Sequence, residues 1–385
     1  MIRQTMRTWA EISLGNLEHN YRALRACAPN SGFLGVVKAN AYGHGAVPVA
    51  KRLEELGADY LAVACLDEGA ELRRAGLELP ILILGHTPPE QAPEVVELGL
   101  TQTVFTPELA GALSRAAGAV GTRAKVHLKL DTGMSRLGIL AHDPERAAQE
   151  VAALCDLPHL DAEGIFTHFA NADGDEGYTM LQFTRFLDVL AELENKYHRQ
   201  FAIRHCAASA AVLHYPCTHL DMVRPGVALY GHYPDPSCQG LDGPGLLPVM
   251  SFKTRVAAVR DLPANTPVSY GCTGQVGAEG GRMAVLPVGY ADGLHRVLSN
   301  QGSVWLAGKT RPILGRVCMD MCMVALDGDA RVKPGDEAEI FGPPAGRDPG
   351  GAGGHHPVRV AVRRLAPGAP GVCMTAAVTG GLRGP

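Results

Sequence analysis

From about residue 33 to residue 224 the chain repeats one arrangement eight times, a short apolar run followed by an amphipathic stretch. The apolar runs read as strands at 34–38, 60–64, 80–84, 102–105, 125–130, 162–167, 202–205 and 222–224. Helical spacing fills the gaps, as at 107–118, where Thr106 supplies the cap, and at 180–198. Eight β-then-α units in roughly 200 residues predict an α/β fold, a (β/α)8 barrel of the TIM type. In such a barrel the active site lies at the carboxyl ends of the strands.

After Gly231 the pattern changes. Stretches at 246–262, 266–270, 283–288, 303–306 and 318–326 alternate or run β-branched between Gly and Pro turns, and no long helical pattern appears. The expected division is therefore a barrel domain over 1–240 and a mostly β domain over 241–341, which a first strand near 7–12 joins. The chain's 385 residues are 46% apolar, ample for two cores. A net charge of −4 gives no basic field for nucleic acid or an anionic membrane surface. No apolar run approaches the roughly 20 residues of a membrane span. Ten cysteines without C-x-x-C spacing, and an opening with no apolar signal core, predict a reducing cytoplasm and no metal site.

The most informative local feature is Val36-Val37-Lys38-Ala39-Asn40-Ala41-Tyr42-Gly43-His44-Gly45. A β-branched run stops at a polar, glycine-rich turn, which places Lys38 at the active end of the first strand. A lysine in a partly dry site can lose its proton and condense with the aldehyde of pyridoxal 5′-phosphate, and Tyr42 could donate to the phosphate. Four other strand ends carry matching chemistry. They are the string 128–138, with Lys129 and Arg136; 164–169, with His168; 205–209, with Ser209; and Arg224-Pro225-Gly226-Val227. Ser209 and the amides near Gly226 and Val227 follow the seventh and eighth strands, where barrels often bind phosphate.

These strings resemble the alanine racemases, fold-type III pyridoxal phosphate enzymes, over about residues 9 to 341. The resemblance rests on V-V-K-A-N-A-Y-G-H-G, K-L-D-T-G-M-x-R-L-G, T-H-F-x-x-A-D, V-S-Y-G, G-Y-A-D-G and G-R-V-C-M-D, all in family order. It implies a homodimer that interconverts L- and D-alanine for peptidoglycan. Lys38 would hold the cofactor and act on one face of the substrate α-carbon, and Tyr270 of the partner subunit would act on the other. It further implies that Arg224 faces the pyridine nitrogen, that Arg136 binds the substrate carboxylate, and that a carbamylated Lys129 positions Arg136. His168 would hydrogen-bond Tyr270, Met319 would lie near the substrate, and Asp173, Tyr290, Arg296, Arg316 and Asp320 would support the site or line its entrance. A serine or broader small-amino-acid racemase, and a cofactor-binding protein of impaired activity, stay open as alternatives.

Two places depart from the family pattern. Ala208 stands where an Asn often precedes the phosphate-binding serine. Residues 342–385 contain 18 Gly or Pro among 44 and no Phe, Tyr, Trp or Ile, so they predict a tail that packs poorly. The family usually ends on a Thr-Ile-Pro-Tyr-Glu-Leu-Leu-Cys segment whose tyrosine binds the phosphate, and this chain has no tyrosine after Tyr290. With suitable degenerate codons, residues 355–373 read from the second base give that segment. The tail thus reads as the product of a shifted frame arising between about Phe341 and Gly354. A gene sequence that encodes the present tail in frame excludes this.

Overall fold

The computed structural model describes residues 6–235, 238, 244–327 and 331–342, and the backbone of two further strands, Val358–Val362 and Ala376–Val378. The chain divides into two compact units. One comprises Leu17–Tyr42 and Ala46–Leu247, the other Met1–Asn16, Gly43–Gly45 and Pro248–Pro385.

Strand β1 (Thr8–Ile12) precedes a helix, Leu14–Cys27, and the parallel strands of the first of these units follow. They are β2 (Gly32–Val36), β3 (Tyr60–Val63), β4 (Ile81–Ile83), β5 (Thr101–Val104), β6 (Ala124–Asp131), β8 (Leu160–Phe166), β9 (Ile203–His205) and β10 (Met222–Val223), with a two-residue β7 (Ile139–Leu140) beside β6. Their order is β10-β2-β3-β4-β5-β6-β8-β9. The ring closes between β9 and β10 through Asp221 N to Arg204 O at 3.1 Å and Arg224 N to Ala207 O at 2.9 Å. All eight expected strands are present, each within a few residues of its expected bounds.

The intervening helices start where the sequence supplies a cap. Thr106 accepts from Leu109 N, Asp143 from Arg146 N and Asp175 from Tyr178 N, each satisfying an amide that has no partner within its helix. Helix Ala46–Glu55 buries Ala46, Val49, Ala50 and Leu53, the three- and four-residue spacing of one helical face. Its neighbour in sequence is unusual. β2 ends at Val36, two residues before Lys38, because Ala39, Asn40, Ala41 and Tyr42 all take left-handed angles, φ 52 to 54°. Such a turn costs about 1–2 kcal/mol per non-glycine residue. Glu68 holds it, accepting from Ala39 N at 2.7 Å and from Ala64 N at 2.7 Å.

The second unit is built from β11 (Met250–Arg255), β12 (Ala258–Leu262), β13 (Pro267–Val268), β14 (Gly274–Gln275), β15 (Gly281–Leu286), β16 (Ser303–Leu306), β17 (Lys309–Pro312), β18 (Cys322–Ala325), β19 (Glu337–Phe341), β20 (Val358–Val362) and β21 (Ala376–Val378). Seven strands form one sheet in the order β17-β16-β19-β11-β1-β20-β21, so β1 sits inside it between β11 and β20, paired with β11 through Ala10 and Phe252. A core of Phe252, Leu286, Val304, Leu306, Val317 and Val324 fills this unit. The tail expected to pack poorly contributes β20, which pairs with β1 from Ile12–Val358 to Trp9–Ala361. The V-R-V-A-V alternation there suits a strand. Apart from Gly342 and β21, the rest of the tail lies outside the described residues.

Candidate active site

A cavity of about 460 Å3 opens at the carboxyl ends of the barrel strands. Lys38, Tyr42, Lys129, Arg136, His168, Asp173, Ser209, Arg224, Gly226 and Val227 all line it, so every candidate the sequence assigns to this unit converges on one space. Four of these side chains are cationic, against the single carboxylate of Asp173, which is exposed.

Burial moves Lys38, Lys129 and Arg224 toward neutrality. Lys38 is lowered first by burial, then by the positive charge of Arg136, with Glu68 opposing and Arg224 adding a smaller effect. Lys129 is 6% exposed and is pushed down to about 8 by burial, then by Arg136 and Arg224. Burial lowers Arg224 to about 10, so it keeps its proton at neutral pH. Its guanidinium donates to Thr167 O at 2.8 Å, to Cys206 O at 3.1 Å, and to His205 Nδ1 at 2.8 Å. No described carboxylate lies within ion-pair distance of Arg224. The ring of Phe166 lies 5.3 Å from the Arg224 guanidinium and 5.4 Å from Lys129 Nζ, and so offsets part of their desolvation. His168 is pushed down to about 3, chiefly by burial and then by Arg224 and the other cations, which leaves it neutral.

The loop that carries Arg136 is organised by one carboxylate. Asp131 accepts from the backbone amides of Gly133, Met134, Ser135 and Arg136, each at 3.0 Å. Across the cavity, Ser209 Oγ accepts from Gly226 N at 2.9 Å and Ala228 N at 3.2 Å. Both lone pairs are then engaged, and the hydroxyl hydrogen is left to donate to an anion. A Cβ at position 226 would stand 2.6 Å from the Tyr42 hydroxyl, so glycine there admits the tyrosine to the same corner. Ala208, beside Ser209, also lines the cavity and offers no polar side chain.

Residues 12–234 match the family model described as alanine racemase, N-terminal domain, and residues 249–350 match that described as alanine racemase, C-terminal domain. The chain belongs to the alanine racemase family. Similar curated proteins include the alanine racemase of Desulforamulus reducens, 48% identical over 87% of this chain and 90% of its own length. That of Desulfovibrio desulfuricans is 46% identical over 87% of this chain and 89% of its own length. Among solved structures, the alanine racemase of Clostridium difficile 630 superposes with a TM-score of 0.84 at 39% identity, covering 88% of each chain. That of Bacillus anthracis, solved with bound L-Ala-P, gives 0.79 at 33% identity over 88% of this chain and 86% of that one. As in the expectation from sequence, this is a family of isomerases on a barrel followed by a mostly β domain.

The remaining candidates belong to the second unit. Tyr270 is 69% exposed, and its hydroxyl has no hydrogen-bond partner among the described residues. Ser269, Gly271 and Cys272 around it have φ of 67, 69 and 50°, a strained turn of the kind that gathers at functional sites. Ser269 Oγ anchors it by donating to Arg316 O at 2.6 Å. Tyr290 N donates to Cys318 O and Ala291 N to Met319 O, both at 3.0 Å, which ties the Tyr290 turn to Met319. Arg296 opens a short 3-10 turn, and Asp320 O accepts from Arg7 at 3.4 Å.

Asp131, His127, Glu163, Phe166 and His205 contact the site residues or their neighbours and are not among the residues expected from sequence. A signal for two of them was present. His127, Lys129 and Asp131 alternate along β6, and a strand's two-residue period puts all three on one face. No described helix is long and apolar enough to cross a membrane.

Proposed function

We propose that the protein is a cytoplasmic homodimer that interconverts L- and D-alanine with pyridoxal 5′-phosphate and so supplies D-alanine for peptidoglycan. The observation that carries this is the convergence of Lys38, Lys129, Arg136 and Arg224 on one cavity in a chain of this family. A cofactor with a phosphate and an aldehyde fits those residues. Ser209 keeps a hydroxyl hydrogen to donate in the corner it shares with Tyr42, and a half-buried lysine with lowered basicity lies on the same cavity. Bound there, pyridoxal phosphate supplies an electron-withdrawing ring that makes the substrate α-hydrogen acidic.

The chain's own residues then have separable tasks. Lys38 would hold the aldehyde carbon in the resting site and, once released as a neutral amine, would take or return the proton on one face of the α-carbon. Racemisation needs a second group on the opposite face, and Tyr270 of the partner subunit, exposed on its strained turn, fills that role. Arg136 binds the substrate carboxylate from a loop fixed by Asp131, with Lys129 carbamylated behind it. Arg224, always a donor, keeps the cofactor's ring nitrogen unprotonated and so limits side reactions. His168, held neutral, would hydrogen-bond Tyr270 of the partner subunit, and Met319 would border the substrate. Asp173, Tyr290, Arg296, Arg316 and Asp320 support the site or its entrance.

Purified protein loaded with pyridoxal phosphate is expected to racemise alanine and to exchange the α-hydrogen of both enantiomers in D2O. Tyr270→Phe should suppress exchange from L-alanine by at least about 100-fold, the lower range for one acid/base group, while exchange from D-alanine persists. Lys38→Ala should abolish the visible band of the lysine-bound cofactor. Absence of alanine racemisation by the wild-type holoenzyme rejects the reading, and a higher initial rate on serine redirects it.

A further inference from the structure

Beneath the cavity, Arg224 begins a line of polar side chains that runs through the barrel interior, buried as far as His127. Arg224 donates to His205 Nδ1 at 2.8 Å. His205 Nε2 lies 2.8 Å from His127 Nδ1. His127 Nε2 lies 3.8 Å from Glu163 Oε2, too far for a hydrogen bond but close for an ion and a polar N–H. Glu163 in turn accepts from the Tyr60 hydroxyl at 2.7 Å and Lys125 Nζ at 3.0 Å. Both imidazoles are fully buried. A buried pair of polar rings is costly unless its hydrogen bonds are satisfied, so this line needs a reason.

The donors and acceptors can be arranged in one direction only. Arginine has no acceptor, so His205 Nδ1 must carry a lone pair. Burial pushes His205 well below its ordinary value, which leaves the ring neutral with its proton on Nε2, aimed at His127. His127 is lowered by burial as well, so its Nδ1 accepts and its Nε2 carries the hydrogen that points at Glu163. Close packing keeps the rings in place. Phe166 stacks on His205 at 4.7 Å and 8°, and a Cβ at position 164 would stand 2.7 Å from the His127 ring, so glycine there makes room for the imidazole.

We propose that His127 and Glu163 are positioning residues for Arg224, acting through His205 as a one-way chain of neutral imidazoles. The chain fixes His205 as a pure acceptor toward Arg224 and so fixes the rotamer of the guanidinium. Two rings also keep the Glu163 carboxylate away from Arg224. A carboxylate in direct contact would cancel much of the cation's field at the cavity, whereas one held off by two neutral rings orients it at a distance. The benefit to catalysis rests on the racemase reading above, but the proton pattern of the rings does not.

Full-length protein labelled with 15N-histidine and loaded with pyridoxal phosphate should show both rings neutral, protonated on Nε2, at neutral pH. A doubly protonated ring, or a proton on Nδ1 of either ring, overturns the proposal without any variant. Asn at 127 can place its carbonyl oxygen near the position of Nδ1, so His127→Asn should keep the His205 pattern, the cofactor's absorption maximum and kcat within about threefold, whereas His127→Leu should disturb all three and lower kcat about tenfold, as for one lost hydrogen bond, with KM little changed. If His127→Leu folds and leaves the nitrogen pattern and absorption maximum at wild-type values, the chain has no positioning role. A wild-type protein with the expected nitrogen pattern but no alanine racemisation defeats the racemase reading and leaves the chain standing.

Discussion

On the β10, β2, β3 and β4 side of the barrel interior, Met222, Leu34, Val36, Ala62 and Leu82 pack as an apolar cluster. On the β6, β8 and β9 side stand His127, Lys129, Glu163 and His205, with Arg224 just past β10. The two sides share one fold, and apart from the half-buried Glu163 both are buried, yet they do opposite things to stability. The apolar side gains by leaving water, while the polar side gives up hydration and recovers it only through hydrogen bonds, ring faces and shifted protonation. The difference teaches that barrel geometry is secured by the first side and tolerated by the second, which the cavity's chemistry requires.

Three measurements test this contrast. Leu82→Ala should cost about 2–5 kcal/mol in chemical denaturation through a cavity in the apolar cluster. Arg224→Met should stay within about 1 kcal/mol of wild type, because removing a buried, carboxylate-free cation offsets the hydrogen bonds lost to His205, Thr167 and Cys206. A larger loss for Arg224→Met than for Leu82→Ala would break the comparison. Tyr60 belongs to both sides, its ring in the apolar cluster and its hydroxyl on Glu163. Tyr60→Phe should therefore fall between them, at about 1.5–3 kcal/mol for a hydrogen bond to a charged group, and the same unfolding curves report it.

The smallest effect concerns pH. Lys129 is held down to about 8 in the native state, whereas an unfolded lysine titrates near 10.4. Between those values the unfolded chain binds a proton that the native chain has released, so stability rises with pH across that window. Below it, the full cost of burying the ammonium is present. In CO2-free buffer, Lys129→Met should flatten this rise relative to wild type. A slope unchanged by the substitution would place Lys129 in a wetter setting than its burial indicates.

Much of the barrel was legible because its signals are local. Apolar runs of four to eight residues, caps such as Thr106 and the break after Val37 each act within a few residues. The left-handed turn after Lys38 was not, since Ala39 and Ala41 have no local reason to take positive φ, and Ala39 is held by Glu68, 29 residues away. Lys309–Pro312 and Glu337–Phe341 escaped notice as strands because they carry charged residues or proline and gain their ladder bonds only from β16 and β11. Val358–Val362 shows the converse, an alternating run whose Gly- and Pro-rich surroundings masked its fit beside β1.

By itself the sequence determined the eightfold β-then-α order, the following β domain, and the strand ends that carry Lys38, Lys129, Arg136, His168, Ser209 and Arg224. Periodicity and turn chemistry suffice for that. Only the tertiary structure decided which inward residues touch. His127 meets His205 across 78 residues of chain, and Arg224 meets Thr167 across 57. Those contacts depend on strand register and ring closure, which arise from the packing of the whole barrel and leave no mark within any one segment.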